Sequence, residues 1–176
     1  MDYDVKRLIA NEEWVELKSC ISLFPGLAKT SDEDRNLPLH LALSAGCDES
    51  VLRALLGEHP ESAFQHNGKN QYPLTLALSN DAIYSEEVLL GLVSEETAAG
   101  LSAFGESALS LSVSSKQSFA IVNKILKAYP AAIAICDEMD TLPLDEAISG
   151  NSGADIIELL RDASRKAETP GPAGAG

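Results

Sequence analysis

One short phrase occurs four times in this chain at a fixed interval. LPLHLAL at Leu37–Leu43, YPLTLAL at Tyr72–Leu78, SALSLSV at Ser107–Val113 and LPLDEAI at Leu142–Ile148 place Pro38, Pro73, Ala108 and Pro143 at steps of 35 residues. Leu39, Leu74, Leu109 and Leu144 keep the same beat, as do Ser44, Ser79, Ser114 and Ser149. A fixed period of this size marks an array of similar supersecondary units, each too thin to bury its own apolar face and each covered by its neighbours. The hydrophobic share supports that reading, because 45% of residues are hydrophobic and only 5% aromatic. Such a core of Leu, Ala, Ile and Val suits closely stacked helices better than a β-sandwich, which favours β-branched and aromatic side chains.

Each unit reads alike. A proline stands at the first helical position, where its missing N–H is not needed. A short helix follows and ends near Gly46, Asp81, Lys116 and Asn151. A second helix then shows an apolar stripe at helical spacing: Val51, Leu52, Leu55 and Leu56 in one unit, Ile121, Val122, Ile125 and Leu126 in another. In the last unit Ile156, Ile157 and Leu160 match while Arg161 departs. Val88, Leu89, Leu92 and Val93 arrive two residues late, which predicts a longer inter-helix loop in that unit. Pro60 and Pro130 close two second helices, and Ala28, Ala63, Ala98 and Ile133 keep the beat beyond them.

Between units lies a turn-rich stretch holding Arg35, Asn70, Gly105 and Asp140 at equivalent places. Asn, Gly and Asp tolerate a left-handed turn conformation. Arg does not, so the first of these turns is predicted to be frayed or differently shaped. The opening segment has a short apolar face, Val5, Leu8 and Ile9. A second helix follows, capped by Asn11 and carrying Val15, Leu17, Cys20, Ile21 and Phe24 before stopping near Pro25-Gly26. Trp14, Tyr84 and Phe119 begin second helices and are read as core packing. The expected organisation is one domain over residues 1–165, with an opening unit at 2–30 and units near 31–65, 66–100, 101–135 and 136–165. Residues 166–176, rich in Pro, Gly and Ala, read as a disordered tail or linker.

The proline that opens a helix, the LPLH phrase within it, the second helix ending in a Leu-Leu pair and the turn that follows together resemble the ankyrin repeat, over roughly residues 2–165. The tetratricopeptide pattern, of similar length, carries its proline after its second helix; here the best-kept proline opens the first. The sequence departs from the ankyrin pattern in three respects. The family's Thr before the proline is replaced by Leu37, Tyr72, Ser107 and Leu142, of which only Ser107 can cap by its side chain. Its His survives only as His40, with Thr75, Ser110 and Asp145 elsewhere. The period is longer than the family's usual ~33 residues. The resemblance implies an all-α, ankyrin-like solenoid of stacked helix pairs, here with irregular inter-repeat turns.

It also implies a non-catalytic protein–protein interaction module, an adaptor or scaffold, that meets its partner with turn tips and a concave face. The tip positions are Glu33, Asp34 and Asn36; Gly68, Lys69 and Gln71; Ala103, Phe104 and Glu106; and Glu138, Met139 and Thr141. The candidate partner-binding residues are Phe104 and Met139, with Glu106, Glu138, Lys69, Gln71, Glu33 and Asp34 around them. Phe104 and Met139 fall on equivalent tips and form either an exposed apolar anchor or two side chains folded onto their own turns. Asp32-Glu33-Asp34 is an acidic tip, either solvated or facing a basic partner segment. Two other readings remain: a small-ligand or enzymatic site in the groove, and the targeting domain of a larger chain.

Charge narrows the partner. Thirteen basic against 27 acidic side chains leave a formal charge of −14. A nucleic-acid backbone or an anionic membrane would be repelled, whereas a protein with a basic or mixed basic/apolar patch would be attracted. The three cysteines are scattered without paired spacing, which fits a reducing compartment, the cytoplasm or the nucleus. The N-terminal stretch lacks a secretory apolar core, and no apolar run reaches the ~20 residues of a membrane helix. A monomer without cofactor or metal is expected. His40 has no partnering nucleophile or acid around it, as catalysis would need. His59, His66 and Cys136 lack zinc-site spacing, and no phosphate-binding glycine loop occurs.

Overall fold

The structure is a computed structural model that describes residues 4–80 and 82–168. Among these residues the regular elements are all helical, and the only extended pairing is an isolated bridge between Leu101 and Ser107. The first helix of each unit is short: α1 (Val5–Ala10), α3 (Pro38–Ser44), α5 (Pro73–Ser79), α8 (Ala108–Ser114) and α10 (Pro143–Ser149). The second helices are α2 (Trp14–Leu23), α4 (Glu49–Glu58), α6 (Glu86–Leu92), α9 (Phe119–Ala128) and α11 (Ala154–Glu168). A further short helix, α7 (Glu95–Ala98), follows α6.

Local chemistry sets the ends of these helices. Four of the first helices stop in a residue of left-handed conformation, Glu12, Gly46, Lys116 or Asn151, with φ of 57°, 69°, 56° and 54°. The reversal lets that residue's own N–H and the one after it return to the helix, as where Lys116 N donates to Val113 O at 3.0 Å and Gln117 N to Ser112 O at 2.9 Å. Second helices begin on Asp48, Ser85 and Ser118, whose side chains accept from the N–H three residues on. Asn11 does not perform this role. It ends α1, and its amide donates to Glu13 at 2.9 Å, while α2 starts on Glu13 without a side-chain cap. Pro25, Pro60 and Pro130 do more than end the second helices, since each opens a five-residue 3₁₀ turn. Ala28, Ala63 and Ile133 in those turns, and Ala98 in α7, are all buried.

The helices pack in neighbouring pairs. α1, α3, α5, α8 and α10 touch in succession; α2 packs on α4, and α6, α9 and α11 form a second succession. Leu39, Leu74 and Leu109, the repeated leucines of the phrase, are fully enclosed, as are Leu17, Leu52 and Leu89 in the second helices. Truncating any one to Ala would remove about 2–5 kcal/mol. Val15, Phe24 and Phe119 were expected in the core but are exposed, at 68%, 48% and 40%, whereas Tyr84 is buried and Trp14 partly so. The predicted longer loop is present: residues 80–85 separate α5 from α6, against 45–48 and 115–118 in the flanking units. Polar ties cross between second helices, with Lys18 donating to Ser50 at 2.7 Å and Arg53 bridging Glu49 at 2.8 Å and Glu87 at 2.9 Å.

The inter-unit turns are regular, and this corrects the expectation of irregularity. Arg35, Asn70, Gly105 and Asp140 all take left-handed φ, of 57°, 61°, 74° and 57°. Arg35 therefore does not fray its turn. The cause lies three residues earlier, where Asp32, Asn67, Ser102 and Asp137 each accept from the second and fourth following N–H groups. Asp137 Oδ1, for instance, accepts from Met139 N at 2.8 Å and Thr141 N at 2.9 Å. The same pattern holds at Asp32, Asn67 and Ser102. This side-chain template holds the turn against the ~1–2 kcal/mol that a non-glycine residue pays in the left-handed region. At the C-terminal end, α11 runs through Glu168, so residues 166–168 continue a helix; the rest of the predicted tail, 169–176, lies outside the described residues.

Candidate functional site

The four templated turns carry every predicted tip residue, in two different settings. The first two turns are locked together. Asn67 Nδ2 donates to Asn36 Oδ1 at 2.9 Å and Gly68 N donates to Asp34 O at 2.7 Å. Contact is so close that a Cβ on Gly68 would lie 2.5 Å from Asp34 O. Glu33, Asp34 and Lys69 are exposed on this joined pair, while Gln71 is half-buried and its Oε1 accepts from Asn67 Nδ2 at 3.2 Å.

The third and fourth turns instead flank a groove of about 340 Å³ lined by Phe104, Glu106, Asp137, Glu138 and Met139. Phe104 is 67% exposed and Met139 83%, so neither folds onto its own turn. Four predicted site residues thus meet in one place. Lys69 lies elsewhere, lining a separate polar groove with His66, Tyr72 and Glu96. Glu33, Asp34 and Gln71 line neither of these two grooves.

Electrostatics distinguish the Phe104–Met139 groove. Glu106 keeps its place through Ser102 Oγ, which donates to Oε2 at 3.0 Å. Asp137 is held below the usual carboxylate range by the N–H groups of Thr141 and Met139. Among the described residues, the ion pairs all lie elsewhere, so Glu106, Asp137 and Glu138 face the groove without a cation. Asp137 was not among the predicted site residues. The signal was present in the sequence, since Asp32, Asn67, Ser102 and Asp137 stand 35 residues apart and are all side chains able to accept from the backbone.

The groups with potential chemistry are engaged in structure. His40 is fully buried; Nδ1 accepts from Leu37 N at 3.1 Å and Nε2 donates to Gln65 O at 2.9 Å. It takes up the N–H of Leu37, the residue at the N-cap position of α3, whose own side chain gives the helix no cap. Burial pushes the Cys47 thiol up to about 11, away from a reactive thiolate. Its neighbour Tyr84 donates to Cys47 O at 3.0 Å. No group of three or more His, Cys, Asp or Glu among the described residues is placed to hold a metal ion.

Two apolar grooves lie on the second-helix side. One, of about 700 Å³, runs between α9 and α11; the other, of about 400 Å³, runs between α4 and α6. Leu56 and Pro60 in the smaller correspond to Leu126 and Pro130 in the larger, so both are the same structural feature two units apart. No described helix is long and apolar enough to cross a membrane. No protein-family model matches the chain, and no curated protein sequence matches it.

Proposed function

We propose that this chain is a non-catalytic protein-interaction module of the ankyrin type, a short solenoid of helix pairs that binds a partner protein through its third and fourth turn tips. One observation carries the reading: Phe104 and Met139, 67% and 83% exposed, stand at equivalent positions of adjacent templated turns and line one groove. Exposed apolar side chains on turns otherwise written in polar residues are the composition of an interface anchor with a polar rim. Rigidity supports it too, because turns held by two side-chain-to-backbone hydrogen bonds lose little further freedom on binding. The free thiols of Cys20, Cys47 and Cys136 suit a reducing compartment and support a cytoplasmic or nuclear location as part of this reading.

The test is affinity capture from a source-cell lysate with wild type and a Phe104→Ala, Met139→Ala double variant. Both side chains are exposed, so the thermal midpoint should stay within about 2–4 °C of wild type, as for two surface substitutions. A protein captured by wild type and lost by the variant is the expected result. Equal capture by both would remove the tips from the interface, and capture by neither would refute the reading.

A further inference from the structure

We infer that the groove between the third and fourth turns takes an arginine side chain, presented by an otherwise apolar segment of the partner protein. This rests on the interaction-module reading and adds the chemistry of the occupant. Phe104 offers an aromatic face and Met139 a polarisable thioether on the walls of a space of about 340 Å³. Glu106, Asp137 and Glu138 line the same space, and none is paired with a cation among the described residues. The basic residues between the third and fourth turns are Lys116, Lys124 and Lys127, all beyond the far end of α8 or on α9. Lys124 is engaged with Leu90 O at 2.6 Å, and Lys127 lines the groove between α9 and α11. Lys69, on the other side of the third turn, lines a separate groove with Ser102 and Gly105. None of these cations lines the Phe104–Met139 groove, so unlike charge is left for a partner to bring.

The apolar walls select among cations. A lysine ammonium is a compact, strongly hydrated charge that gains little from an aromatic wall at an exposed site. A guanidinium is planar, stacks on a ring face and can still fork its N–H groups toward carboxylates at the edges. Glu106, oriented by Ser102, and Glu138, free on its turn, supply those edges. Asp137 contributes charge but its Oδ1 is committed to the Met139 and Thr141 N–H groups. The arginine stem and its flanking apolar residues cover Phe104 and Met139.

The chain contains two methionines, which makes the Met139 methyl group a resolved reporter in ¹³C-methyl-methionine NMR. The probes are acetyl-Ala-Leu-Arg-Leu-Ala-amide and its citrulline counterpart, which is close in shape but neutral, with one NH2 donor group replaced by a carbonyl oxygen. The Arg peptide should shift Met139 saturably and bind about two- to fivefold more tightly than the citrulline peptide, the scale of one partly exposed charge pair. A Glu106→Gln, Glu138→Gln variant keeps the Ser102 acceptor and should remove that difference.

Equal binding of the two peptides, or binding that leaves Met139 unmoved, overturns the inference. The two levels of the proposal separate in lysate capture. A partner lost by Phe104→Ala, Met139→Ala but fully retained by Glu106→Gln, Glu138→Gln would keep the module and refute the arginine. An arginine-selective Met139 shift with unchanged lysate capture in both variants would keep the arginine site and remove these tips from the captured partner's interface.

Discussion

Gly68→Ala tests whether the first two turns are a joint or merely neighbours. The added methyl would sit 2.5 Å from Asp34 O and 3.1 Å from Asp34 C, both backbone atoms that cannot swing aside. Ordinary contact requires a retreat of about 1 Å, which would stretch the 2.7 Å bond from Gly68 N to Asp34 O and drag on the Asn67–Asn36 bond. Overpacking of this kind costs ~1–3 kcal/mol, and weakening one solvent-accessible hydrogen bond adds ~0.5–1.5 kcal/mol. Alanine's lower unfolded-state entropy offsets ~0.4–1 kcal/mol. The net expectation is a loss of ~1–3 kcal/mol, or a fall in midpoint of about 2–10 °C for a chain of this length. Gly57→Ala is the control: it lies inside α4 with nothing within 4 Å of its added Cβ, so helix propensity should raise stability by up to ~1 kcal/mol. Urea unfolding of both variants, at unchanged m-value, reads the contrast. Gly68→Ala as stable as wild type would show that the turns are not locked in solution.

The repeated phrase made the first helices legible, because a proline at N1 and buried leucines at fixed spacing leave little freedom in type or position. The second helices were legible from their stripes, and even the two-residue loop insertion before α6 could be seen as a delay in Val88, Leu89, Leu92 and Val93. The turns were misread for a physical reason. Attention to the left-handed residue asks which side chains tolerate that conformation, and Arg35 answers badly. What decides the turn is the acceptor three residues earlier, and Asp32 provides it as well as Asn67 does. Asn11 misled in the opposite way: Asn suits both a helix N-cap and a helix end, and it ends α1. Whether Phe104 and Met139 turn outward could not be decided from spacing, since a tip residue can pack beside its own backbone. The choice depends on how neighbouring turns approach one another, which differs between the locked first pair and the open last pair.

The strain in the turns predicts a reciprocal pair. Arg35→Gly should stabilise by ~0.5–1 kcal/mol through relief of left-handed strain. Gly105→Ala, at φ 74° and with open space around its Cβ, should destabilise by a similar ~1 kcal/mol; thermal melts giving the same sign for both would refute the account. His40 predicts the pH response. Burial lowers its pKa, against a backbone hydrogen bond from Nε2 to Gln65 that works the other way. Protonation would place a proton on Nδ1, which accepts from Leu37 N at 3.1 Å, and so break that bond at the start of α3. The folded pKa lies below the unfolded value of ~6.5, so the unfolded chain binds the proton more readily. Stability is accordingly full above ~pH 7 and is lost as pH falls through 6.5 toward the folded pKa, at a slope of at most ~1.4 kcal/mol per pH unit for one proton. The carboxylates with lowered pKa, Asp48, Glu49 and Asp137 among them, lose their contributions in a separate window below about pH 4.5. Urea midpoints between pH 7.5 and 5 should therefore fall in wild type and fall equally in a His59→Asn variant, whereas His66, whose charge also lowers the His40 pKa, is left in place. A flat profile, or one abolished by that variant, would show that buried His40 is not the titrating group.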